Sequence, residues 1–295
     1  MDSMNQAKKE EELLHSKKQT SITKSINQNR RRCFMRGKIS IFLMVVLVAS
    51  LCSLAALAQA EEQKAQPFYV RVVAVKPSEV KNYMAGVKEM VALETEHKFP
   101  YPIYTSHTDD FHFYHAIPLK DGSIDNFWKT WGEFMAKIGP EQGQKIQKLL
   151  EGTQEYSEDI VILSRPDLSY TPENPRLKPE EGNFRRWTFL YLHSWKQKEV
   201  EAIAKEFVAL YKSKNIPDGY SLYEAIMGIE APGYLIIQSA KDAADFYSQD
   251  INKLLGEEGK ALWKKAWPLI KKVEYEQGWF LPGLSYIPKK EQTEK

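Results

Sequence analysis

The stretch Pro166-Asp167-Leu168-Ser169-Tyr170-Thr171-Pro172 recurs near the carboxyl end of the chain as Pro282-Gly283-Leu284-Ser285-Tyr286-Ile287-Pro288. Five of the seven positions are identical, and all five share an offset of 116 residues. A motif that returns at a fixed distance is typical of a duplicated structural unit. We therefore predict that the chain contains the same unit twice and that each copy ends on this motif.

Further matches run backwards from the two motifs in the same order. Ile138-Gly139 corresponds to Leu255-Gly256, and Val91-Ala92-Leu93 corresponds to Val208-Ala209-Leu210, both at an offset of 117. Unrelated amphipathic segments can match by chance, but chance matches do not follow the same order along the chain at offsets that change only from 116 to 117. These matches therefore favour duplication.

Each copy has the same predicted order of secondary structure. A β-rich run comes first, and an amphipathic helix follows, clearest where apolar residues recur at i, i+3, i+4 and i+7 in the second copy. Two strands, a further helix and a last short strand complete each unit. The order β-α-β-β-α-β is that of the ferredoxin-like fold. The predicted ranges that matter below are first strands at 68–75 and 187–193, later helices at 123–138, 142–150 and 258–273, and last strands at 160–163 and 279–281.

The predicted fold class is therefore α+β, with two tandem ferredoxin-like repeats. Such a unit, with an extra helix before its last strand and present twice, resembles the dimeric α+β barrel superfamily. That group includes antibiotic-biosynthesis monooxygenase-like, EthD-like and NIPSNAP-like proteins. The resemblance implies that the repeats pair their sheets around a common lumen, as an intrachain dimeric α+β barrel. It is architectural, and its members range from cofactor-free oxygenases and haem-using enzymes to proteins with no known chemistry, so it does not choose a function.

Composition limits the class of partner. Hydrophobic residues make up 43% of the chain and charged residues 27%, which is enough for a folded core. The net charge of +2 comes from the first 60 residues, where ten Lys and Arg face four Asp and Glu; the remainder carries a net charge of −4. An acidic body argues against nucleic acid as a partner. The sequence also contains no G-x-G-x-x-G, P-loop, H-E-x-x-H or G-x-S-x-G motif.

The amino-terminal residues predict export. An apolar run at 39–58 follows a basic region and leads into Ala58-Gln59-Ala60, the order of a secretory signal peptide. Counting from Met35 gives a signal peptide at 35–60 and leaves residues 1–34 as a disordered or over-called extension. The alternative is an uncleaved helix that anchors the protein in a membrane through the same apolar run. We expect an extracytoplasmic protein, periplasmic or secreted, in the first case.

The exported body divides into a first repeat at 61–170, a Pro-rich linker at 171–184, a second repeat at 185–288 and a disordered tail at 289–295. Both cysteines of the chain precede residue 61. The body therefore has neither a disulfide framework nor a thiol nucleophile.

The first strands predict an aromatic lumen. Side chains alternate between the two faces of a strand, so aromatic and polar residues of each first strand share one face. Rings with polar tips suit an organic ligand that is planar or weakly anionic. The alternative is a barrel core filled by the same side chains. The lumen candidates are Tyr69, Arg71, Tyr114, Trp187, Tyr191 and His193.

A histidine-rich hairpin offers a candidate metal site. If residues 108–111 form a four-residue loop, His107 and His112 become cross-strand neighbours with Cβ atoms about 5 Å apart. With Asp110 from the loop they would ligate Zn²⁺ or Cu²⁺. His115 lies three residues beyond His112, so it turns to the opposite face. The alternative is a polar hairpin tip with exposed histidines.

These observations favour an exported, soluble, non-catalytic barrel that binds a small organic ligand, with anionic character to complement Arg71, or serves as an interaction scaffold. We expect a monomeric pseudo-dimer without a resident cofactor, which contacts a membrane only through an uncleaved amino-terminal segment. One alternative is a cofactor-independent or haem-linked oxygenase with Arg71, Tyr191 and His193 in the lumen. Another is a metal-binding protein that uses His107 and His112.

Overall fold

The structure is a computed structural model that describes residues 64–288. The predicted extension at 1–34, the signal peptide at 35–60 and the tail at 289–295 lie outside the described residues, so export stays a prediction. Within the described part of the chain, no helix combines the length and the apolar character that a membrane span requires.

Each repeat contains four strands, with helices after its first and third strands. The first repeat consists of β1 (Pro67–Val75), α1 (Val80–Glu96), β2 (Tyr104–Thr108), β3 (His112–Pro118), α2 (Ile124–Leu150) and β4 (Gln154–Ser164). The second repeat consists of β5 (Phe184–Leu192), α3 (Gln197–Ser213), β6 (Tyr220–Met227), β7 (Gly233–Ala240), α4 (Ala243–Ser248), α5 (Ile251–Ala266) and β8 (Ile270–Phe280).

The eight strands form a closed barrel in the order β1-β3-β2-β8-β5-β7-β6-β4. Every neighbouring pair is antiparallel. Each repeat supplies one half of the barrel, and the halves meet where β2 pairs with β8 and where β4 pairs with β6. The predicted fold class, two tandem ferredoxin-like repeats that pair as an intrachain α+β barrel, is confirmed.

The glycine that matches between the copies marks a break in the later helix of each repeat. Gly139 interrupts α2 with φ 80°, and Gly256 interrupts α5 with φ 64°. Glycine adopts these angles without the steric cost that a Cβ would bring.

The predicted helix at 258–273 is wrong at its end. The helix α5 stops at Ala266, because Pro268 lacks the N–H that a continuing helix needs. The residues that follow form β8, which is much longer than the strand predicted at 279–281.

The motif of the first repeat binds the second repeat. The hydroxyl of Tyr170 donates to the carbonyl oxygen of Ile216 at 2.8 Å, and Ser169 Oγ accepts from the backbone N–H of Leu222 at 2.9 Å. Leu168 is completely buried beside them. Residues 166–170 therefore close the first half of the barrel onto the second.

The motif of the second repeat makes the same contacts in the opposite direction. The hydroxyl of Tyr286 donates to the carbonyl oxygen of Phe99 at 2.7 Å, and Ser285 Oγ accepts from the backbone N–H of Thr105 at 2.9 Å. We call the two segments, residues 166–170 and 282–286, the reciprocal clasp. Self-complementary contacts of this kind are those of a twofold dimer interface, here within one chain.

Loss of apolar packing in the clasp should destabilise the whole barrel. We expect Leu168→Ala to lower the free energy of unfolding by about 2–5 kcal/mol, the usual cost of deleting a buried leucine side chain. Denaturant unfolding followed by circular dichroism measures this change. Leu254→Ala, at a leucine that is 47% exposed, is the control and should cost far less; equal losses would contradict the role of the clasp.

Candidate functional site

The centre of the barrel lumen is filled. Trp187 is 4% exposed, and its ring stacks on Tyr114 with centroids 5.8 Å apart. The Tyr114 hydroxyl donates to Glu276 Oε2 at 2.6 Å. Apolar residues from both repeats surround this pair: Val70, Val72, Ile160, Ile162, Phe189 and Leu235. Trp187 and Tyr114 therefore lie in the lumen as predicted, but in the packed arrangement that was the alternative to a pocket.

Tyr191 and His193 differ in position. Tyr191 packs against the edge of the lumen cluster, and its hydroxyl donates to Glu274 Oε2 at 2.7 Å. His193 lies beyond the last residue of β5 and is exposed. The strand ends too early to carry His193 into the lumen, so its predicted lumen position is wrong.

Tyr69 and Arg71 lie on the opposite side of the sheet from the lumen, which corrects the prediction. Tyr69 packs against Phe127 of α2, with ring centroids 5.4 Å apart, while Val70 and Val72 fill the lumen. Alternation could not reveal this arrangement, because helices cover the outside of the barrel and both faces of β1 are largely buried.

The hairpin histidines do not share a face. His107 pairs with Phe113, and their rings stack at 5.6 Å on the outer side. The loop comprises residues 109–111 only, which shifts the register by one residue from the predicted pairing. A one-residue shift turns a side chain to the other face, so His112 points the other way.

The predicted metal site is therefore not assembled. His112 lies with Nε2 2.9 Å from the Tyr156 hydroxyl and Nδ1 3.0 Å from Asp110 Oδ1, away from His107. Between residues 64 and 288, no three His, Cys, Asp or Glu side chains lie close enough to hold a metal ion together.

A cavity with a few polar groups in a largely apolar wall lies elsewhere in the first repeat, between the outer face of its sheet and the helices α1 and α2. Its volume is about 220 Å³. Apolar side chains form most of its wall, and a few ionisable or hydroxyl-bearing residues interrupt them. These polar residues are Tyr69, Arg71, Tyr83, Glu94, Thr105, His115 and Ser157, and the amide of Gln154 also lines the cavity. We call this space the first-repeat cavity.

His115 connects two hydroxyl groups at the wall of this cavity. Its Nε2 lies 2.8 Å from the Tyr83 hydroxyl, and its Nδ1 lies 3.1 Å from Thr105 Oγ1. Burial is the main cause that lowers the pKa of His115, to about 4, and the positive charge of Arg71 adds to it. The imidazole is therefore neutral at pH 7, with one nitrogen donating and the other accepting.

Glu94 is the most unusual side chain of the cavity. It is 2% exposed, and its Oε2 atom has no hydrogen-bond partner among the described residues. Burial raises the pKa of its carboxyl group to about 8. A carboxyl group in such a place is held largely as the neutral acid at pH 7, because an unpaired buried charge is costly.

A compensated ion pair lies at the edge of the cavity. Arg71 donates to both oxygens of Asp159, at 2.9 and 3.1 Å, and the Tyr69 hydroxyl donates to Asp159 Oδ1 at 2.6 Å. The Arg71 guanidinium also lies 5.5 Å from the ring centroid of Trp128. Its charge is neutralised by Asp159, so Arg71 does not by itself demand an anionic ligand.

The second repeat has a cavity in the equivalent place, with a different wall. We call it the second-repeat cavity; its volume is about 510 Å³. Thr188 takes the position of Arg71, and its cross-strand partner Ile236 takes that of His115. At the offset of 117, Val200 replaces Tyr83 and Tyr211 replaces Glu94. The duplicated unit therefore carries the His–Tyr–Glu set in one copy only.

Haem does not fit the residues at either cavity. The second-repeat cavity has no His, Cys or Met among its described lining residues. Burial raises the pKa values of Tyr211 and Tyr220, which opposes the tyrosinate that could replace them as a ligand. In the much smaller first-repeat cavity, both ring nitrogens of His115 are already engaged.

Glu94, Tyr83 and Thr105 were not identified from the sequence as site residues. One signal was available, because Glu94 follows Tyr83, Val87 and Val91 on the stripe of α1 that a helical period places towards the core. A carboxylate on such a stripe is unusual. The proximity of His115 to α1 could not be predicted from the sequence, since it depends on how the helix crosses the sheet.

The opposed pKa shifts predict a stability maximum in mildly acidic solution. The unfolded chain ionises Glu94 from about pH 4.5 while the folded protein keeps its proton up to about pH 8, so stability falls as the pH rises through that window. Unfolded His115 takes up a proton below pH 6.5 but the folded residue does so only near pH 4, so stability also falls on acidification.

Glu94→Gln should therefore flatten the alkaline side of this profile, by up to about 1.4 kcal/mol for each pH unit. Urea unfolding between pH 5 and pH 8 measures the effect. Glu96→Gln, at an exposed position of the same helix, is the control and should leave the slope unchanged. A wild-type slope in the Glu94 variant would show that Glu94 is not buried as a neutral acid.

Comparisons with known proteins support the fold. No protein-family model and no curated protein matches the sequence. Among solved structures, an anthrone oxidase-like protein is similar with a TM-score of 0.50 and 11% identity, covering 74% of this chain and 92% of that one. A monooxygenase-like protein from Lactobacillus acidophilus (TM-score 0.49, 7% identity, 76% and 97% covered) and a chlorite dismutase from Candidatus Nitrospira defluvii (0.46, 11%, 74% and 92%) are also similar. At these identities the likeness is one of fold, and the chain has the fold of the dimeric α+β barrel superfamily.

Proposed function

We propose that the protein binds a small, oxygen-bearing organic molecule, of the phenol or enol class, in the first-repeat cavity. The observation that carries this proposal is the buried Oε2 atom of Glu94, which has no hydrogen-bond partner in the described part of the chain. A buried polar atom without a partner costs about 1–3 kcal/mol. A hydroxyl group of a ligand would remove that cost.

Glu94 is suited to such a ligand because it is neutral. A protonated carboxyl group donates one hydrogen bond and still accepts others. A phenol or an enol, which also donates and accepts, complements it better than a carboxylate does. The ligand we propose is therefore uncharged when it binds, in contrast to the anionic ligand that the sequence favoured.

Tyr83 and His115 supply a second polar contact. If His115 donates from Nε2 to the Tyr83 hydroxyl, the proton of that hydroxyl is free to point at a ligand oxygen. Thr105 then donates to Nδ1, which fixes this tautomer. In the other tautomer Tyr83 donates to His115 and accepts from the ligand. Either way the chain Thr105–His115–Tyr83 can shift its protons to match the bound molecule.

A second candidate function is cofactor-independent oxygenation of the same ligand. The pair of groups with opposed pKa values favours it, since Glu94 holds a proton and His115 is available as a base through Tyr83. The ligand would pass its hydroxyl proton through Tyr83 to His115, and the resulting anion would give one electron to O₂. The organic radical and superoxide would then form a C–O bond, and the peroxide would take the proton back as a hydroperoxide. A protein of similar fold is described as anthrone oxidase-like, and this likeness is a reason to test for oxygenation.

We also propose that the protein is exported and acts as a monomeric pseudo-dimer. The basic–apolar–small-residue order at 35–60 supports export, and the reciprocal clasp supports a complete barrel in a single chain. Amino-terminal sequencing of protein recovered outside the cytoplasm should find Glu61; an intact, membrane-bound chain would indicate the anchored alternative.

Ligand binding and stability should respond to Glu94→Leu in opposite directions. Removal of the orphaned carboxyl group should raise the free energy of unfolding, while the affinity for phenol, measured by isothermal titration calorimetry, should fall at least tenfold. Toluene, which has the shape of phenol without its hydroxyl, should bind the wild-type protein more weakly than phenol does.

The matched control is Tyr211→Phe, at the equivalent position of the second repeat. It should leave the affinity for phenol unchanged. Equal binding of phenol and toluene to the wild-type protein would contradict the proposed function, and so would an unchanged affinity for phenol in Glu94→Leu.

Oxygenation is tested separately with an oxygen electrode. If it occurs, phenolic compounds should cause protein-dependent O₂ uptake at pH 7, and His115→Gln should reduce the rate at least tenfold while phenol still binds. Binding without O₂ uptake would identify a binding protein and reject the oxygenase.

A further inference from the structure

We propose that the second-repeat cavity is a separate binding site for an aromatic amine. This inference goes beyond the proposed function, because it concerns other residues and another class of ligand. The cavity lies between the outer face of the second sheet and the helices α3 and α5. Its volume of about 510 Å³ falls within the range of roughly 300–1,000 Å³ that holds drug-sized molecules.

Small side chains keep this cavity open. Ala204 on α3, Ala240 at the end of β7 and Ala266 at the end of α5 all line it. Protein interiors are usually packed to the density of organic crystals, and larger side chains at these three positions would fill part of the space. In the first repeat the equivalent space is less than half as large, and aromatic side chains of α2, Phe127 and Trp131, occupy part of its wall.

The wall of the second-repeat cavity suits a flat, apolar ligand. Phe207 and Trp263 form one aromatic pair, with centroids 5.1 Å apart, and Tyr211 and Tyr220 form another at 5.2 Å. Aromatic rings bind one another by edge-to-face and offset contacts, in addition to the apolar area that they bury. A ligand with one or two fused rings can make such contacts with both pairs.

The charge at one part of the wall is negative. Arg176 is shared between two carboxylates: it contacts Asp218 at 2.9 Å and Asp245 at 2.8 Å. Among these three side chains one positive charge faces two negative charges, and a further cation, Lys241, acts on Asp245 from an exposed position. Asp250, which also lines the cavity, accepts from the backbone N–H of Lys253 at the start of α5. Among the described lining residues, Arg176 is the only cation.

Asp218 shows where the polar group of a ligand would bind. Its Oδ1 atom is held by Arg176, but its Oδ2 atom is buried and has no hydrogen-bond partner among the described residues. A protonated amine has donors and a positive charge, and therefore satisfies both this oxygen and the excess negative charge. A carboxylate of the same size would satisfy neither.

The proposal is tested with 2-(1-naphthyl)ethylamine, which is protonated at neutral pH, and with 1-naphthylacetate, which has the same ring and the opposite charge. Isothermal titration calorimetry on the purified full chain should show one site for the amine and at least tenfold weaker binding of the carboxylate. Equal or tighter binding of the carboxylate would overturn the proposal.

Variants in each cavity locate the amine. Asp218→Asn keeps the shape and the contact with Arg176 but removes the charge, and should weaken amine binding about tenfold. Ala204→Phe should fill the cavity and abolish binding; Ala204→Leu, a smaller change, should weaken it if the larger variant does not fold. Unchanged affinity in Asp218→Asn and in the folded Ala204 variant would overturn the proposal.

Glu94→Leu, in the first-repeat cavity, is the matched control and should not change the affinity for the amine. If it lowers that affinity as much as Asp218→Asn does, the amine occupies the first-repeat cavity and the proposal is wrong. Failure of the phenol experiment would leave the amine prediction standing, since the two sites share no residue.

Discussion

The reciprocal clasp is the interaction on which the barrel depends. Each repeat ends in a segment that gives its tyrosine hydroxyl to a backbone carbonyl of the other repeat, and whose serine oxygen accepts a backbone N–H there. These contacts lie beside the β2–β8 and β4–β6 pairings that close the barrel. Closure leaves no free sheet edge, which removes the usual risk of edge-to-edge association. The clasp thereby joins the two repeats of one chain into a single closed barrel.

Duplication allows the two halves to differ. Contacts at the clasp and in the lumen involve both repeats and constrain both, whereas each helix-covered cavity belongs largely to one repeat. The first-repeat cavity combines a neutral buried acid, Glu94, with the His115–Tyr83 pair. The second-repeat cavity is larger and has apolar or tyrosine side chains in the same places. One scaffold can therefore hold two unlike sites, which is how function is commonly added to a fold.

The polar side chains of the two cavities are costly to the folded protein. Glu94 and Asp218 each bury an oxygen that has no partner between residues 64 and 288, and most buried polar atoms in proteins are paired. By contrast, the guanidinium of Arg165, at the end of the first repeat, donates to three carboxylates, those of Asp167, Glu201 and Glu224. The protein therefore pairs the charge of Arg165, which joins the two repeats, but leaves one oxygen of Glu94 and one of Asp218 unpaired beside the cavities. This contrast supports ligand binding in both cavities.

The sequence by itself determined the architecture: the repeated motif, the matching glycines and the periodicity of each segment are local signals, and they were enough for two ferredoxin-like repeats. It also placed His115 and His112 on opposite faces, because alternation along one strand needs no tertiary information. Only the tertiary structure decided which face of β1 meets the lumen, because both of its faces are buried. A loop one residue shorter than predicted separated His107 from His112, and the crossing of α1 over the sheet brought Glu94 to the cavity of His115. Registers and helix crossings depend on contacts between distant segments, and no local pattern in this chain encodes them.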